Sequence, residues 1–154
     1  MSGRIEARLA ELGLTLPEPA APAANYVPYV ISGSLLYTSG QLPMGPNGLA
    51  SQGKLGDSLG VDDGRTSAKL CALNVLAQAK AALGDLDRIT RLVKVVGFVN
   101  SAPEFTDQPK VVNGASDFFV EVLGERGRHA RSAVGVAGLP LGASVEVEAI
   151  FEFA

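Results

Sequence analysis

Arg131 and Glu146 are the two side chains of this sequence whose types and spacing best suit chemistry. A guanidinium can grip a small carboxylate through two parallel hydrogen bonds, and a carboxylate close by can take or give a proton. Both fall in the stretch Arg131–Ala149, where Val134 and Val136 alternate with small residues and Val145 and Val147 alternate with Glu146 and Glu148. That period of two predicts two short strands, and Gly138, Pro140 and Gly142 predict a tight connection between them. A hairpin centred near Gly138–Leu139 would set Arg131 roughly opposite Glu146 across the ladder. Two readings of such a pair stay open: a site for a small carboxylic acid, or a structural cross-strand pair on a solvated face.

Other chemistry-bearing residues are sparse. Ser39 and Gly40 end a predicted strand, where small residues let backbone amides approach a ligand, although the same letters describe an ordinary strand exit. Cys71 lies in a helical pattern among alanines and leucines and reads as a packed, unreactive thiol. His129, the only histidine, lies in a charged loop and reads as solvated, with no nucleophile elbow to use it. One cysteine and one histidine are too few for a zinc site of about four ligands, while a carboxylate-based metal site stays formally open. Gly48–Lys54 matches most of a phosphate-binding loop, yet Leu55 stands where a hydroxyl is needed, no buried strand precedes it, and Gly56 and Gly60 break the helix that should open after it.

These residues need elements to carry them. Residues 2–13 read as a short helix with Ser2 as cap, Ile5, Leu9 and Leu12 on one face, and Gly13 as stop. The proline-rich Pro17–Ala24 reads as an extended lead-in. Tyr26–Ile31 and Leu35–Thr38 predict strands joined at Ser32-Gly33-Ser34, and the glycine-rich 40–64 segment predicts a long loop or loose strand pair. Asp62-Asp63-Gly64 opens a helix to about Leu83, with Leu70, Leu73, Leu76, Ala77 and Ala81 as its apolar face. Ile89–Val99 is β-branched enough for a central strand. A second long helix follows a cap at Thr106 or Asp107 and buries Val111, Val112, Ala115, Phe118, Phe119 and Val122. The order predicts one α+β domain over 1–154, a mixed sheet with both long helices on one face, preceded by an N-terminal helix and lead-in over 1–19. The other sheet face then needs either the glycine loop or a second copy of the chain, and self-association is the expectation.

Composition narrows the class. With 154 residues, 47% of them hydrophobic, the chain should bury about two thirds of its unfolded surface in one core. A formal charge of −3 and no basic run disfavour nucleic acid as a partner. No secretion signal and no apolar run near the ~18 residues needed to span a bilayer predict a cytoplasmic protein with no membrane partner, and the single cysteine fits a reducing compartment.

The residues Thr38-Ser39-Gly40-Gln41, Leu73-Asn74-Val75, Arg131-Ser132, Leu139-Pro140 and Val145-Glu146-Val147-Glu148 resemble the YjgF, or Rid (reactive-intermediate deaminase), family, also labelled endoribonuclease L-PSP-like. The likeness covers roughly residues 20–153. It implies a chorismate-mutase-like fold, a homotrimer with ligand clefts between subunits, and hydrolysis of small enamine and imine acids to 2-oxo acids and ammonia without a cofactor or metal. By this resemblance Arg131 binds the substrate carboxylate and Glu146 activates the attacking water. Ser39 and Gly40 line the pocket together with Tyr26, the tyrosine reached by counting back from Thr38; Tyr29 shares the family's preceding proline. His129, Ala133 and Pro103 replace a frequent proline, cysteine and asparagine, and the chain is longer, so the resemblance is to a divergent branch. A trimeric module that binds a small carboxylate without turnover is the alternative, and a ribonuclease or translation inhibitor the third.

Overall fold

A computed structural model describes residues 3–21 and 24–154; Ser2 and the Pro22-Ala23 part of the lead-in lie outside them. Helix α1 spans Arg4–Glu11, strands β1 Tyr29–Ser32 and β2 Leu35–Thr38, and a minimal hairpin is formed by β3 Met44–Gly45 and β4 Gly48–Leu49. Then come α2 Val61–Leu83, β5 Ile89–Asn100, α3 Gln108–Leu123, β6 Ala130–Val136 and β7 Val145–Phe153. The main sheet has the order β1-β2-β7-β5-β6, with β5 and β6 parallel and the other neighbours antiparallel. This is the α+β architecture expected, with α2 and α3 on one face of a mixed sheet and an added N-terminal helix.

The expected hairpin between the last two strands does not form. β6 and β7 flank β5 on opposite edges, with Val95 paired to Arg131 on one side and to Ala149 on the other. The reason lies in β5, whose long β-branched run has backbone donors and acceptors along both edges. Residues 137–144 therefore carry the chain over the end of β5, where Asn100 N–H donates to Ser144 O at 2.9 Å and Asn100 Nδ2 to Ala143 O at 3.1 Å. Lys54 fastens the same crossing, its Nζ donating to Asn100 Oδ1 at 2.7 Å and to the Ala137 carbonyl.

The two long helices approach closely because small residues line their contact. A Cβ on Gly114 would stand 2.1 Å from the Arg65 carbonyl oxygen of α2. α2 begins at Val61, one residue earlier than the acidic run suggests, and Asp63 Oδ2 accepts from the Gly60 N–H at 2.9 Å. Its buried arc is wider than the leucine spacing implies: Ala68, Cys71, Ala72, Val75 and Ala79 are fully enclosed, whereas Leu70 and Leu73 are half-buried and Ala81 is exposed. A helix packed against both a sheet and a neighbouring helix buries more than one stripe. α3 buries the residues its periodicity predicts, and its N-cap position is Asp107.

α1 docks through Ile5 and Leu9. Its first free amides find a distant cap, Arg4 N–H donating to Asp87 Oδ2 at 2.8 Å and Ile5 N–H to Asp87 Oδ1 at 3.0 Å. The glycine-rich segment tucks into the helical layer, where Leu55 is fully buried against Gly64. It leaves the opposite sheet face open, with Val30, Tyr37 and Val134 exposed there.

Candidate active site

Strand alternation decides where Glu146 points. Val145, Val147, Ala149 and Phe151 are buried toward the helices, so Glu146, Glu148 and Ile150 project from the open face. Glu146 presses on Gly40 so closely that a Cβ there would lie 2.2 Å from Oε2. The contact is held by backbone: Gln41 N–H donates to Val147 O at 2.8 Å and Val147 N–H to Gln41 O at 3.0 Å, extending the β2–β7 pairing past Gly40. Burial raises the Glu146 pKa above the usual carboxylate range, and the neighbouring Glu148 charge raises it further. A carboxyl group shifted in this direction holds its proton more readily than a free one, which suits a group that must take and return a proton.

Gly40 also lines a cavity of about 190 Å³, together with Ser39, Tyr26, Pro28, Met44 and Leu141. Ser39 positions the Tyr26 segment: its Oγ donates to Val27 O at 2.7 Å and its N–H to Pro28 O at 2.9 Å. Tyr29, by contrast, is half-buried in β1 and packs against the hydrophobic core. Two polar residues of α2 hold the far wall. Asn74 Nδ2 donates to Met44 O at 2.9 Å, and Gln78 Nε2 donates to Ala20 O at 2.9 Å and to Gln41 Oε1 at 3.4 Å. Neither was singled out for a role from sequence, yet two amides four residues apart on a buried helix face are a readable sign that something there needs hydrogen bonds.

Arg131 is elsewhere. It shares the level and facing of the buried Val95, so it projects toward α3, on the face opposite Glu146. Its Nη1 donates to Asn113 Oδ1 at 2.7 Å and to Ser116 Oγ at 3.2 Å. His129 completes this cluster and is not merely solvated: it is half-buried, its Nδ1 lies 2.6 Å from Gly127 O and its Nε2 2.8 Å from Ser116 Oγ. These partners assign the proton of the neutral ring to Nδ1, with the Ser116 hydroxyl donating to Nε2 and accepting from Arg131. Burial lowers the His129 pKa and the Arg131 charge lowers it further, against the opposing hydrogen bond to Gly127. Asn113 and Ser116, one helical turn apart on α3, were also not anticipated.

Of the residues picked from sequence, Tyr26, Ser39, Gly40 and Glu146 thus gather at one place, while Arg131 stands on the other side of the sheet. Within one copy the two halves cannot hold the same small molecule. Cys71 is fully buried with its thiol pKa raised by that burial and by the Glu146 charge, and it lies 3.6 Å from Val145 O. Among the described residues, no three His, Cys, Asp or Glu side chains gather in a metal-binding arrangement, and no helix is long and apolar enough to cross a membrane.

Comparison with known proteins gives the same architecture a lineage. Residues 6–153 match the family model described as "YjgF/chorismate mutase-like, putative endoribonuclease". Protein TCP17 of Trypanosoma cruzi is 57% identical over 152 residues, covering 98% of this chain and 95% of its own. The crystal structure of Atu1372 from Agrobacterium tumefaciens, a protein of unknown function, superposes with a TM-score of 0.92 at 56% identity, covering 97% and 92% of the two chains. E. coli TdcF, solved with bound serine, superposes at 0.64 with 28% identity, covering 91% and 96%. The chain belongs to the YjgF/chorismate mutase-like family.

Proposed function

We propose that this protein hydrolyses small enamine and imine carboxylic acids to 2-oxo acids and ammonia, in clefts between the copies of a cytoplasmic homotrimer. The observation that carries this reading is Glu146, a half-buried carboxylate with a raised pKa, set against Gly40 beside a small cavity. In the proposed cleft a neighbouring copy supplies Arg131, which binds the substrate carboxylate. Glu146 takes a proton from water as the oxygen adds to the imine carbon. Glu146 passes that proton to nitrogen to complete the carbinolamine, then accepts the hydroxyl proton as the carbonyl forms and delivers it to nitrogen as the C–N bond breaks, so ammonia departs with both protons of the water. An enamine first takes a proton on carbon to become the imine. No cofactor is required, since water is the only co-reactant.

The open sheet face, with exposed Val30, Tyr37 and Val134, supports assembly. The bound serine of E. coli TdcF supports an amino-acid-like ligand and also favours the second reading, a module that binds such ligands without turnover. A formal charge of −3 speaks against an RNA substrate. The test is 2-oxo acid release from imino acids generated in situ. Wild type should accelerate it, and Arg131→Ala and Glu146→Gln should each lose on the order of 100-fold or more. Binding of 2-oxo acids without acceleration would select the second reading, and neither binding nor acceleration would end both.

A further inference from the structure

Leu141 combines two features that folding alone does not ask for. Its backbone is left-handed, at φ 60 and ψ 12, a region that side-chain-bearing residues rarely adopt. Its side chain is 68% exposed. The conformation is imposed from several sides: Gln52 Nε2 donates to Leu141 O at 2.9 Å, Gly142 N–H to Leu139 O at 3.0 Å, and Gly53 N–H to Gly142 O at 3.0 Å. A glycine at 141 would relieve the strain, and with most of the leucine exposed it would give up little buried apolar surface. Leucine is instead held where it forms part of the cavity wall at Gly40, facing a lining that includes Met44, Leu42 and Pro28.

Two of the three polar side chains of that wall, Ser39 and Gln41, are turned inward, and the third is Tyr26. Ser39 Oγ donates to Val27 O, and Gln41 Nε2 donates to Ser39 O at 3.1 Å while its Oε1 accepts from Gln78. Their donors are committed within the protein, so a ligand group entering the cavity meets mainly carbon. At about 190 Å³ the space falls below the roughly 300–1,000 Å³ of sites for drug-sized ligands and suits a side-chain-sized fragment.

The geometry points to Leu141 as a specificity-determining residue: the cavity takes the side chain of the 2-imino acid, and the preferred substrates carry an aliphatic side chain of about leucine size. This rests on the proposed deaminase reading for the identity of the head group. The polar side chain of a serine-derived acid would lose water there and find Tyr26 as the one further side-chain hydroxyl in a wall that is mostly carbon.

The test measures binding as well as turnover, so that the two claims fail separately. Full-length wild type and Leu141→Gly are titrated calorimetrically with pyruvate and with 4-methyl-2-oxopentanoate. The same two proteins are assayed with the corresponding imino acids, and their size and melting temperature are measured. Wild type should bind the branched acid on the order of tenfold more tightly than pyruvate. Leu141→Gly should erase most of that ratio, with an unchanged or higher melting temperature and an unchanged assembly. The branched preference in binding without turnover supports the cavity assignment and removes the deaminase reading. Turnover with no preference for chain length, a ratio unaltered in Leu141→Gly, or an assembly that dissociates in that variant overturns the assignment. Binding of neither acid overturns both.

Discussion

Replacing Gly40 with alanine probes the site where its packing is tightest. Gly40 lies outside the left-handed backbone region, so alanine can adopt its conformation. The new Cβ would meet Glu146 Oε2 at 2.2 Å, Cδ at 2.7 Å and Cγ at 3.0 Å. A relaxed contact needs about 3.5 Å, and the backbone there is fixed by the paired bonds between Gln41 and Val147, so the glutamate must withdraw by about 1 Å or more. Displacement of a reacting group by that amount costs on the order of 100-fold in rate. The carboxylate moves toward water as it withdraws, which limits the stability change to about 1 kcal/mol. Two assays read the effect: kcat/KM for 2-imino acids, and titration of the Glu146 carboxyl by carbon NMR. Gly40→Ala should fold, lose about 100-fold in kcat/KM, and show Glu146 titrating closer to the ordinary range, because burial is the main cause of its raised pKa. Wild-type activity in Gly40→Ala, or a Glu146 titration left where it was, would refute the idea that this contact places the carboxylate.

Gly114→Ala should act on stability instead, since its Cβ meets the backbone oxygen of Arg65 and neither helix can yield cheaply. A loss of about 1–3 kcal/mol is expected from the urea midpoint at constant slope. Asp87→Ala should cost about 1 kcal/mol by uncapping α1. Because the amides of Ile5 and Arg4 hold the Asp87 pKa low, that difference should be complete at neutral pH and vanish as pH falls through the depressed folded-state value. Glu146→Gln should do the reverse. A raised carboxylate pKa means that stability is fully present below the unfolded-state value and is lost as pH rises through the folded-state one, so the variant should melt higher than wild type at neutral pH and match it in acid.

The kinds of element, and most of their limits, follow from periodicity and turn residues. β1 and β2 turn at Gly33, whose φ is +61, and α3 buries the six apolar positions its spacing predicts. The strand order does not follow. Alternation along Arg131–Val136 and Val145–Phe153 states which residues share a face but not which neighbour each edge meets, and β5 decided that by pairing with both. The site divides in the same way. Ser39, Gly40 and Glu146 come together because β2 runs out alongside β7, and Tyr26 joins them through Ser39. The neighbours that hold them, Asn74 and Gln78, act through distant backbone carbonyls that no local pattern encodes, and the left-handed Leu141 is fixed by a side chain equally far away in sequence, Gln52. His129 escaped for a related reason: its partners Ser116 and Gly127 are set by how α3 returns to β6.

Because Arg131 and Glu146 leave opposite faces of one sheet, the proposed centre is a property of a pair of copies and not of a chain. Two variants that are each inert, one lacking the arginine and one lacking the glutamate, should restore each other when co-refolded. With random assortment in a ring, about one cleft in four would receive both intact side chains. Dominance is a second consequence: a chain carrying either lesion would silence a cleft that its wild-type neighbour had half built.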